Sequence, residues 1–416
     1  MNNKVAIIGL GYVGLPLAIL CHQKGFDVTG IDIDQAKINS LSQGISYLAD
    51  LSDGDVQEVV QSPKFKYATD FGKVNDVDTM IICVPTPLSA QSEPNLNYLH
   101  HAIERLMPHL KQNQLIVVES STYPGTTEEV IKPKLEGNGW KVGHDLFLGY
   151  SPERIDPGNQ LFSLENIPKV ISGVTESCLD ALTNVYQHIF RELVPVKSTR
   201  VAEMTKIVEN TQRFINISFM NELSRISEKL DVDIWEVVTA ASTKPYGFTP
   251  YFPGPGIGGH CIPVDPLYLK WKAEQLGVKT EFIDLAKKIN DKQPDYIVER
   301  VSQVVKHDKA KLLTIGLTYK KDINDIRESA SIPVFQRLVR SGYQVDYHDP
   351  FIENLEFNGH THSNKPLSAP MLSDYDGVII LTDHSQVNYE LIKKHAKLIF
   401  DTRNRFQEDS NTIYKL

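Results

Sequence analysis

The residue best suited to covalent chemistry, Cys261, stands in a segment whose composition differs from that of the rest of the chain. Residues 245–264 contain glycine, proline and aromatic residues but no Asp, Glu, Lys or Arg. Such a density of Gly and Pro excludes a helix or a central strand, and a solvated linker would carry more charged residues. We therefore predict that residues 245–266, called the Cys261 loop below, form an ordered loop whose backbone is pressed against another part of the protein. His260 precedes the cysteine and Asp265 follows it by four positions.

A glycine pattern near the N-terminus predicts a dinucleotide site. A short apolar strand runs into Gly9-x-Gly11-x-x-Gly14, and a helical segment follows. These glycines allow a tight turn, close approach of a pyrophosphate and close packing of helix on strand, and the helix N-terminus offers free N–H groups. A second strand ends in Asp32, which we expect on the ribose hydroxyls and which favours NAD over NADP. Lys37 is either a further contact to the adenosine ribose or an ordinary surface lysine.

Three further apolar runs predict buried parallel strands that end in polar residues. One run is followed by Pro85 and Thr86, the next by Thr122, and the third by Glu153 and Arg154. Ligands of doubly wound sheets bind at the carboxyl ends of the strands, so these five residues are candidates for ligand contacts. The alternative for Glu153 and Arg154 is a surface ion pair.

The middle of the chain predicts helices. From Thr199 to about Leu230 apolar residues recur on one face at 3.6-residue spacing. These residues are Val201, Met204, Val208, Ile215, Phe219 and Ile226. Lys206, Asn210 and Arg213 share the opposite face, which is either solvated or part of a polar site. A long helix with an apolar face could also serve as a dimer interface.

The last third of the chain is a weak echo of the first. Four apolar runs repeat the order and spacing of the N-terminal strands, which predicts a second Rossmann-like domain. This domain lacks the glycine pattern. Its first strand is followed by Lys320 and Arg327, which could hold a second anionic ligand.

These patterns together predict an α/β fold in which two Rossmann-like doubly wound domains are joined by a central helical region. We place the N-terminal NAD-binding Rossmann domain at residues 1–198. The central helical dimerisation region, with the Cys261 loop, takes residues 199–300. The C-terminal Rossmann-like domain, with its candidate site for a second anionic ligand, takes residues 301–416.

Composition excludes several classes of function. The chain has 416 residues and a formal net charge of −9, and the absence of a basic run argues against nucleic acid or an anionic membrane as partner. No apolar stretch approaches the ~18 residues of a membrane helix. The four cysteines are scattered, without the spacing of a metal site, which fits free thiols in a reducing, cytoplasmic compartment.

Five motifs, in order along the whole chain, resemble those of the UDP-glucose/GDP-mannose dehydrogenase family. They are Gly9-x-Gly11-x-x-Gly14, Ser151-Pro-Glu153, Lys206-x-x-x-Asn210, Gly258-Gly-His-Cys261-Ile-Pro-Val-Asp265 and Gly316-Leu-Thr-Tyr-Lys320…Asp325-Ile-Arg327-Glu-Ser. The segments around Lys244 and Cys261 are similar to the UDP-N-acetylglucosamine 6-dehydrogenase branch. The UDP-glucose branch usually has a lysine where this chain has Val264, which weakens the UDP-glucose interpretation.

The resemblance implies oxidation of a sugar C6 alcohol to a carboxylate with two NAD⁺, for the synthesis of surface polysaccharide precursors. Cys261 would add to the intermediate aldehyde as a thiohemiacetal and then carry a thioester. Its thiol, of ordinary pKa ~8.5, would need activation by nearby positive charge or a helix N-terminus. Lys206 and Asp265 would hold the catalytic water and move protons, and Lys206 and Asn210 would stabilise oxyanions.

The resemblance also distributes the remaining roles. Glu153 resembles a further acid/base or water-positioning residue, and Thr122 a helper at the same strand end. The residues expected at the cofactor are Gly9, Gly11, Tyr12, Val13, Gly14, Asp32, Lys37, Pro85, Thr86, Thr122 and Arg327. The residues expected at the substrate are Glu153, Arg154, Lys206, Asn210, Arg213, Tyr251, Gly258 and Lys320. His260 is interpreted as structural.

Several alternatives stay open. The substrate could be the UDP derivative of N-acetylglucosamine, N-acetylgalactosamine, N-acetylmannosamine or glucose, which differ by local contacts worth ~1–3 kcal/mol each. A different class is a two-electron NAD dehydrogenase of the hydroxyacid type, in which Cys261 would be structural. A short-chain nucleotide-sugar epimerase would need Tyr-x-x-x-Lys in the first domain, and a non-catalytic regulator would bind NAD without forming NADH.

Overall fold

The computed structural model describes residues 4–48, 51–155, 163–307, 309–408 and 410–416. The strands are β1 (Lys4–Ile8), β2 (Asp27–Ile31), β3 (Phe65–Ala68), β4 (Thr79–Ile82), β5 (Gln114–Val118), β6 (Leu146–Tyr150), β7 (Lys169–Gly173), β8 (Leu193–Pro195), β9 (Lys311–Ile315), β10 (Gln344–His348), β11 (Asn354–Phe357), β12 (His360–Ser363), β13 (Gly377–Ile380), β14 (Ile399–Asp401) and β15 (Ile413–Lys415).

The α-helices are α1 (Gly14–Gln23), α2 (Gln35–Ser42), α3 (Asp53–Val60), α4 (Asn97–Leu106), α5 (Lys132–Glu136), α6 (Glu176–Tyr186), α7 (Thr199–Lys229), α8 (Ile234–Ala241), α9 (Asp265–Gln275), α10 (Glu281–Asp291), α11 (Gln293–Val304), α12 (Ser331–Arg340), α13 (Ala369–Asp374) and α14 (Tyr389–His395). Within the described residues no helix is both long and apolar enough to span a bilayer.

The chain folds into two compact units. The first comprises Met1–Asn210 with Val264–Lys279, and the second comprises Thr211–Pro263 with Thr280–Leu416. Helix α7 contributes its N-terminal part to the first unit and its C-terminal part to the second. The domain boundaries drawn from the sequence, at 198/199 and 300/301, stay a prediction.

The first unit is built on a sheet of eight strands in the order β3-β2-β1-β4-β5-β6-β7-β8. All neighbouring pairs run parallel except β6 and β7. Strands β1, β4 and β5 are buried along nearly their whole length, because apolar clusters cover both faces of the sheet, as expected for parallel strands. The strand order reverses between β1 and β4, so the carboxyl ends of these two strands form the topological switch point.

The second unit contains a parallel sheet of five strands in the order β10-β9-β13-β14-β15. Strands β9, β10, β13 and β14 fall in the four apolar runs that echo the N-terminal strands, so the expectation of a second Rossmann-like domain is confirmed. The hairpin of β11 and β12 is antiparallel and had no clear sequence signal. The fold class predicted from the sequence is therefore confirmed.

Helix α7 agrees with the predicted span to within about a residue. Its apolar face, however, is largely exposed to solvent in the single chain: Val201, Val208, Phe219 and Ile226 are each 46–51% exposed. The face that bears Lys206 and Asn210 is instead buried, at 8% and 5% exposure. The helix thus turns its polar residues into the protein and an apolar stripe outward.

The Cys261 loop forms neither helix nor strand from Pro245 to Val264, as predicted. Its last two residues depart from the prediction, because α9 begins at Asp265. A proline at the second position of a helix is well tolerated, since the N–H that it lacks would have had no partner within the helix. Asp265 therefore stands in the first turn of a helix.

Candidate active site

The glycine turn after β1 has the geometry that a pyrophosphate needs. Gly9 adopts a φ of +95°, and a Cβ there would meet the Cys83 carbonyl oxygen at 2.7 Å. A Cβ on Gly14 would lie 1.8 Å from the Gly9 carbonyl oxygen, so helix α1 packs too closely on the turn for any side chain. A Cβ on Gly11, by contrast, would meet nothing within 4 Å. The space beside Gly11 is open for a ligand, as the sequence pattern predicts. Tyr12 and Val13, which complete the turn, are half-buried.

Asp32 lies at the carboxyl end of β2 and is almost fully buried, at 6% exposure. Its Oδ2 accepts hydrogen bonds from the Leu10 N–H at 2.8 Å and from Lys37 Nζ at 2.9 Å, and its Oδ1 accepts from the Asp34 N–H at 2.9 Å. Lys37 therefore pairs with the acid that we expect on the ribose. The Lys37 side chain is 30% exposed. Lys37 is therefore accessible at the acid where the adenosine ribose is expected.

The carboxyl ends of β4 and β5 lie side by side. Thr86 is buried and donates from Oγ1 to the Ser121 carbonyl oxygen at 2.7 Å, whereas Pro85 is exposed. The Tyr268 hydroxyl of α9 donates to the Thr86 carbonyl oxygen. Thr122 is 1% exposed and has no hydrogen-bond partner of good geometry among the described residues.

Lys206, Asn210 and Asp265 form one buried cluster in the first unit. Asn210 Nδ2 donates to Asp265 Oδ2 at 2.6 Å. Burial raises the pKa of the Asp265 carboxyl to about 6, against the opposing effects of the Lys206 charge and the Asn210 hydrogen bond. A carboxylate poised near neutral pH beside an ammonium and an amide can take up a proton and can stabilise a developing oxyanion.

A second buried network lies beside this cluster and was missed in the sequence. Lys169 Nζ contacts Glu153 Oε2 at 2.7 Å and Glu119 Oε2 at 2.9 Å. The Tyr186 hydroxyl donates to the other oxygen of Glu119. Glu153 Oε1 accepts from the backbone N–H groups of Arg154 and Ile155, at 2.6 and 2.7 Å. The sequence signal that could have revealed this network is a charged residue directly at the end or the start of a buried apolar strand.

Glu203 was also missed, and it ties α7 to the loop after β5. Its Oε2 accepts from the Gly125 N–H at 2.6 Å, and its Oε1 accepts from the N–H and the hydroxyl of Thr127 at 2.8 and 2.7 Å. Burial raises the pKa of this carboxyl to about 7 despite these donors. The contact holds the segment that follows Thr122 against the helix that carries Lys206.

In the second unit, the backbone of the Cys261 loop is packed as closely as predicted. A Cβ on Gly258 would meet the Glu328 carbonyl oxygen at 2.6 Å and Tyr319 Cβ at 2.9 Å. Gly259 has a φ of +94°, and a Cβ there would lie 2.7 Å from the Tyr319 ring. The Ile257 N–H donates to Asn290 Oδ1 at 2.7 Å. These contacts hold the residues just before Cys261, whose thiol is half-buried and not in a disulfide.

The aromatic residues of the loop pack on helices. Phe248 and Tyr251 contact a cluster on α7 and α8 formed by Met220, Ile234, Trp235 and Val238. Phe252 stacks on Trp235 with ring centroids 5.1 Å apart. Tyr251, predicted at the substrate, thus has a packing role and is only half-buried.

The predicted cationic contacts have protein partners as well. Arg154 in the first unit pairs with Glu209 at 3.0 Å and donates to the Pro168 carbonyl oxygen. Arg327 in the second unit forms a two-pronged ion pair with Asp325, at 2.7 Å between Nη2 and Oδ2, and its side chain is 51% exposed. Lys320 and Arg213 are half-buried in the second unit. Burial and the charge of Arg327 lower the pKa of His260, which makes His260 a poor cation.

The acid at the end of β10 shows why the second sheet is not a copy of the first site. Asp349 accepts from the Leu317 and Phe351 N–H groups, as Asp32 accepts from two N–H groups in the first sheet. Asp349 is fully buried, however, and one of its oxygens lies 3.2 Å from His384 Nε2. Asp349 is therefore closed to a ribose.

Arg403, at the carboxyl end of β14, is a basic residue of this sheet edge that the sequence analysis missed. Its guanidinium lies 3.0 Å from the position that a Cβ on Gly254 would take.

Lys206, Asn210 and Asp265 belong to the first unit, as do Glu153, Thr122 and the glycine turn. Cys261, Gly258, Tyr251, Arg213, Lys320 and Arg327 belong to the second unit. Cys261 precedes Asp265 by four residues in the chain. The roles expected of all these residues stay predictions.

Comparison with known proteins decides the family. Three family models of the UDP-glucose/GDP-mannose dehydrogenase family match the chain in order: the NAD binding domain at residues 3–190, the central domain at 200–292 and the UDP binding domain at 313–408. The chain belongs to the UDP-glucose/GDP-mannose dehydrogenase family. It is an NAD-dependent nucleotide-sugar dehydrogenase, and the predicted cofactor and enzyme class are confirmed.

Individual relatives cover almost the whole chain. The chain is 35% identical to the UDP-N-acetyl-D-glucosamine 6-dehydrogenase of Pseudomonas aeruginosa, over 99% of each protein. It is 31% identical to the UDP-N-acetyl-D-mannosamine dehydrogenase of Methanocaldococcus jannaschii, over 97% of this chain and 93% of the relative. The solved structure of a UDP-D-ManNAc dehydrogenase from Pyrococcus horikoshii matches with a TM-score of 0.89 and 28% identity, over 99% and 98% of the two chains. Members of the same family that match this chain therefore carry different sugar names.

Proposed function

We propose that the protein oxidises the C6 hydroxyl of a UDP-N-acetylhexosamine to a carboxylate in two successive two-electron steps, with Cys261 as the covalent nucleophile. UDP-N-acetylglucosamine is the substrate that we put first, because the chain is 35% identical to an enzyme of that name. The relative named for UDP-N-acetyl-D-mannosamine, at 31% identity, makes the 2-epimer the second candidate. The product would be a precursor of surface polysaccharide.

One observation carries this proposal: the buried Lys206–Asn210–Asp265 cluster, whose Asp265 follows by four residues a cysteine that is not in a disulfide. A two-electron alcohol dehydrogenase needs no nucleophile. Oxidation of an aldehyde to an acid through hydride loss needs a tetrahedral adduct, and a thiolate supplies it. Bound NAD⁺ would accept the hydride in each oxidation.

The proposed reaction passes from the alcohol through an aldehyde, a thiohemiacetal and a thioester to the carboxylate. In the first oxidation the C6 hydroxyl loses its proton to a base and C6 loses a hydride. The Cys261 sulfur then forms a bond to C6 of the aldehyde, and the carbonyl electron pair moves to the oxygen. Loss of a second hydride from C6 gives the thioester, and water replaces sulfur to release the carboxylate and the thiol.

Each of the polar side chains predicted at this site has a role in the proposed reaction steps. Lys206 and Asn210 donate hydrogen bonds to the oxygen that becomes negative in the adduct. Asp265, with Lys206, holds the attacking water and takes its proton. Glu153 is a further base at the neighbouring strand end, and Thr122 donates its hydroxyl to the reacting oxygens.

The two nucleotides have separate supports. We infer that residues 1–198 hold NAD through the glycine turn and Asp32, because the open space at Gly11 and the acid at the end of β2 fit a pyrophosphate and a ribose. Residues 301–416 would hold the UDP part of the substrate, with Lys320 as the main cation, and Arg327 stays a predicted contact to the cofactor. The central residues 199–300 would carry the Cys261 loop and a homodimer interface on the exposed stripe of α7.

Replacement of the cysteine tests the proposal most directly. We expect wild-type protein to form two NADH per UDP-N-acetylglucosamine and Cys261→Ala to lose the complete oxidation by at least ~10³-fold, because no thioester can form. Absorbance of NADH against carboxylate product, measured by mass spectrometry, gives the stoichiometry. Cys178→Ala, at a buried cysteine far in sequence from the loop, is the control.

A panel of UDP-sugars under the same assay settles the substrate. A higher kcat/KM for UDP-N-acetylmannosamine or another UDP-sugar would move the assignment to that sugar. One NADH per substrate, together with near-normal turnover of Cys261→Ala, would show a two-electron dehydrogenase and contradict the proposal. NAD binding without NADH formation from any sugar would show a regulator.

A further inference from the structure

Four polar side chains of the first unit are enclosed together although only one of them, Glu153, has a role in the proposed reaction. Glu119, Lys169, Glu153 and Tyr186 are each at most 6% exposed. Enclosing an ion costs several kcal/mol unless it is paired, and well-packed apolar residues would be as stable or more so. A buried ionic network beside a reactive cluster is therefore more than a device for stability.

The two carboxylates of the network have unequal surroundings. Glu153 accepts hydrogen bonds from two backbone N–H groups and from the Lys169 ammonium. Among the residues that the structure describes, Glu119 accepts only from Lys169 and from the Tyr186 hydroxyl. Burial alone would raise the pKa of Glu153, but Lys169, the Ile155 N–H and the charge of Lys206 together lower it.

The pKa of the other carboxyl, that of Glu119, is shifted in the opposite direction. Burial and the charge of Glu153 raise the pKa of Glu119 even though Lys169 opposes them. A proton that enters this pair therefore resides on Glu119. The titratable groups within electrostatic reach of Glu153 are Lys169 of β7, Glu119 after β5, Lys206 of α7 and Cys83 after β4.

We propose that Lys169 is a positioning residue of the dehydrogenase reaction. Glu119, which Tyr186 holds in turn, fixes the Lys169 ammonium so that it keeps Glu153 ionised and fixed in direction. Glu153 then serves as a proton acceptor throughout the reaction. It takes the proton of a water or substrate O–H, and the electron pair of that bond stays on the oxygen. The proposal rests on the proposed function only for this last use of Glu153; the protonation of Glu153 is a property of the network itself.

A double variant tests the proposal with least damage to the fold. Lys169→Met/Glu119→Gln removes one cation and one anion together, so that the net charge of the buried network is unchanged. Glu153 keeps its two N–H donors but loses its cation. We expect the pKa of the Glu153 carboxyl to move up by about 1–3 pH units, the usual effect of an opposite charge within 4–6 Å of a carboxylate. Glu153 then adds a second ionisation to the acid limb of the kcat–pH profile, which Asp265 sets in wild type. Glu119→Gln alone leaves Lys169 entirely to Glu153 and should leave the limb unchanged or lower it.

Two further variants separate positioning from mere structure. Lys169→Arg keeps the charge and should keep the wild-type profile. Lys134→Met/Glu104→Gln removes an exposed pair of the same unit, 2.6 Å apart, and should leave both the profile and kcat within about 2-fold of wild type. A folded Lys169→Met/Glu119→Gln protein whose Glu153 carboxyl titrates as in wild type would overturn the proposal.

A measurement without turnover keeps this inference separate from the proposed function. The carboxyl carbon of Glu153, followed by NMR in protein labelled with ¹³C at glutamate Cδ and assigned with Glu153→Gln, should titrate at higher pH in the double variant than in wild type. An unchanged titration would sink the inference whatever the activity. Wild-type protein that forms no NADH from any UDP-sugar would instead sink the proposed function alone.

Discussion

At the scale of single residues, the protein places carboxylates in surroundings that push their pKa values apart. Asp265 is held near neutrality, with a pKa of about 6, by burial against the pull of Lys206. Glu153 is held below its ordinary pKa by Lys169 and Lys206. Two carboxylates of the same unit therefore do not titrate together, which is the usual way in which a site divides acid and base roles.

Because of Asp265, activity should rise with pH while the stability of the fold should fall with pH. If the ionised form is the base, the rate of wild-type protein should fall as pH drops below about 6, and Asp265→Asn should lower kcat by ~10²–10⁴-fold. Both quantities are read from NADH formation across pH 5–9. A variant that retains wild-type turnover would remove Asp265 from the chemistry.

The stability effect follows from linkage. Burial raises the folded-state pKa of Asp265 from 3.8 to about 6, so its protonated form is favoured by folding. The stabilisation is complete below pH ~4 and is lost as pH rises through 6, at most about 3 kcal/mol. Asp265→Asn keeps the oxygen that accepts the hydrogen bond from Asn210. Its melting temperature should therefore be higher than that of wild type at pH 8 and equal to that of wild type at pH 4. Equal melting temperatures at both pH values would contradict the raised pKa.

At the scale of elements, close packing of backbone decides the shape of the Cys261 loop. Gly259 combines a φ of +94° with a Cβ position 2.7 Å from the Tyr319 ring. Glycine is needed there for two separate reasons, conformation and space. The same unit offers Gly258, where a Cβ would meet the Glu328 carbonyl oxygen at 2.6 Å.

Alanine substitution separates these two reasons. Gly139 has nearly the same φ, +93°, but a Cβ there meets nothing within 4 Å. Gly139→Ala should cost only the ~1–2 kcal/mol of a left-handed alanine, while Gly259→Ala should cost a further ~1–3 kcal/mol because Tyr319 must move. Urea unfolding measures both. We also expect Gly259→Ala, and not Gly139→Ala, to raise KM for the UDP-sugar. Equal costs for the two variants would show that the ring yields without strain.

At the scale of the whole molecule, the outer face of α7 is the feature that a single chain leaves unexplained. Apolar side chains on that face, such as Val208 at 48% and Phe219 at 47% exposure, follow the helical period along its length. A row of exposed apolar residues on a long helix is typical of an interface. We propose that a second copy of the chain covers it.

Charged substitution on the stripe should dissociate the dimer. Val208→Glu/Phe219→Glu places two carboxylates in the proposed interface, where each would be buried without a partner. We expect a halved mass by light scattering at micromolar concentration, against an unchanged mass for Ile45→Glu, at an isoleucine 44% exposed outside α7. A wild-type protein that is monomeric, or a double variant that stays dimeric, would contradict the proposal.

Local sequence determined much of this protein. The alternation of apolar runs with helical segments predicted both sheets, because buried parallel strands must be apolar on both faces. The glycines at 9, 11 and 14 predicted the cofactor turn, because a side chain would clash with backbone at 9 and 14 and would fill the open ligand space at 11. The span of α7 and the close packing of the Cys261 loop followed in the same way from local composition.

Tertiary structure alone decided which side chains meet. Lys169 and Glu119 are 50 residues apart, and Tyr186 and Glu119 are 67 apart, so no local pattern could pair them. The direction of α7 was equally hidden: its apolar face could have been core, yet Lys206 and Asn210 are buried and Val208 is exposed. Periodicity shows that a helix has two faces, but which face is enclosed depends on what the rest of the chain brings against it. Here it brings Asp265, a carboxylate that needs an ammonium and an amide beside it once water is removed.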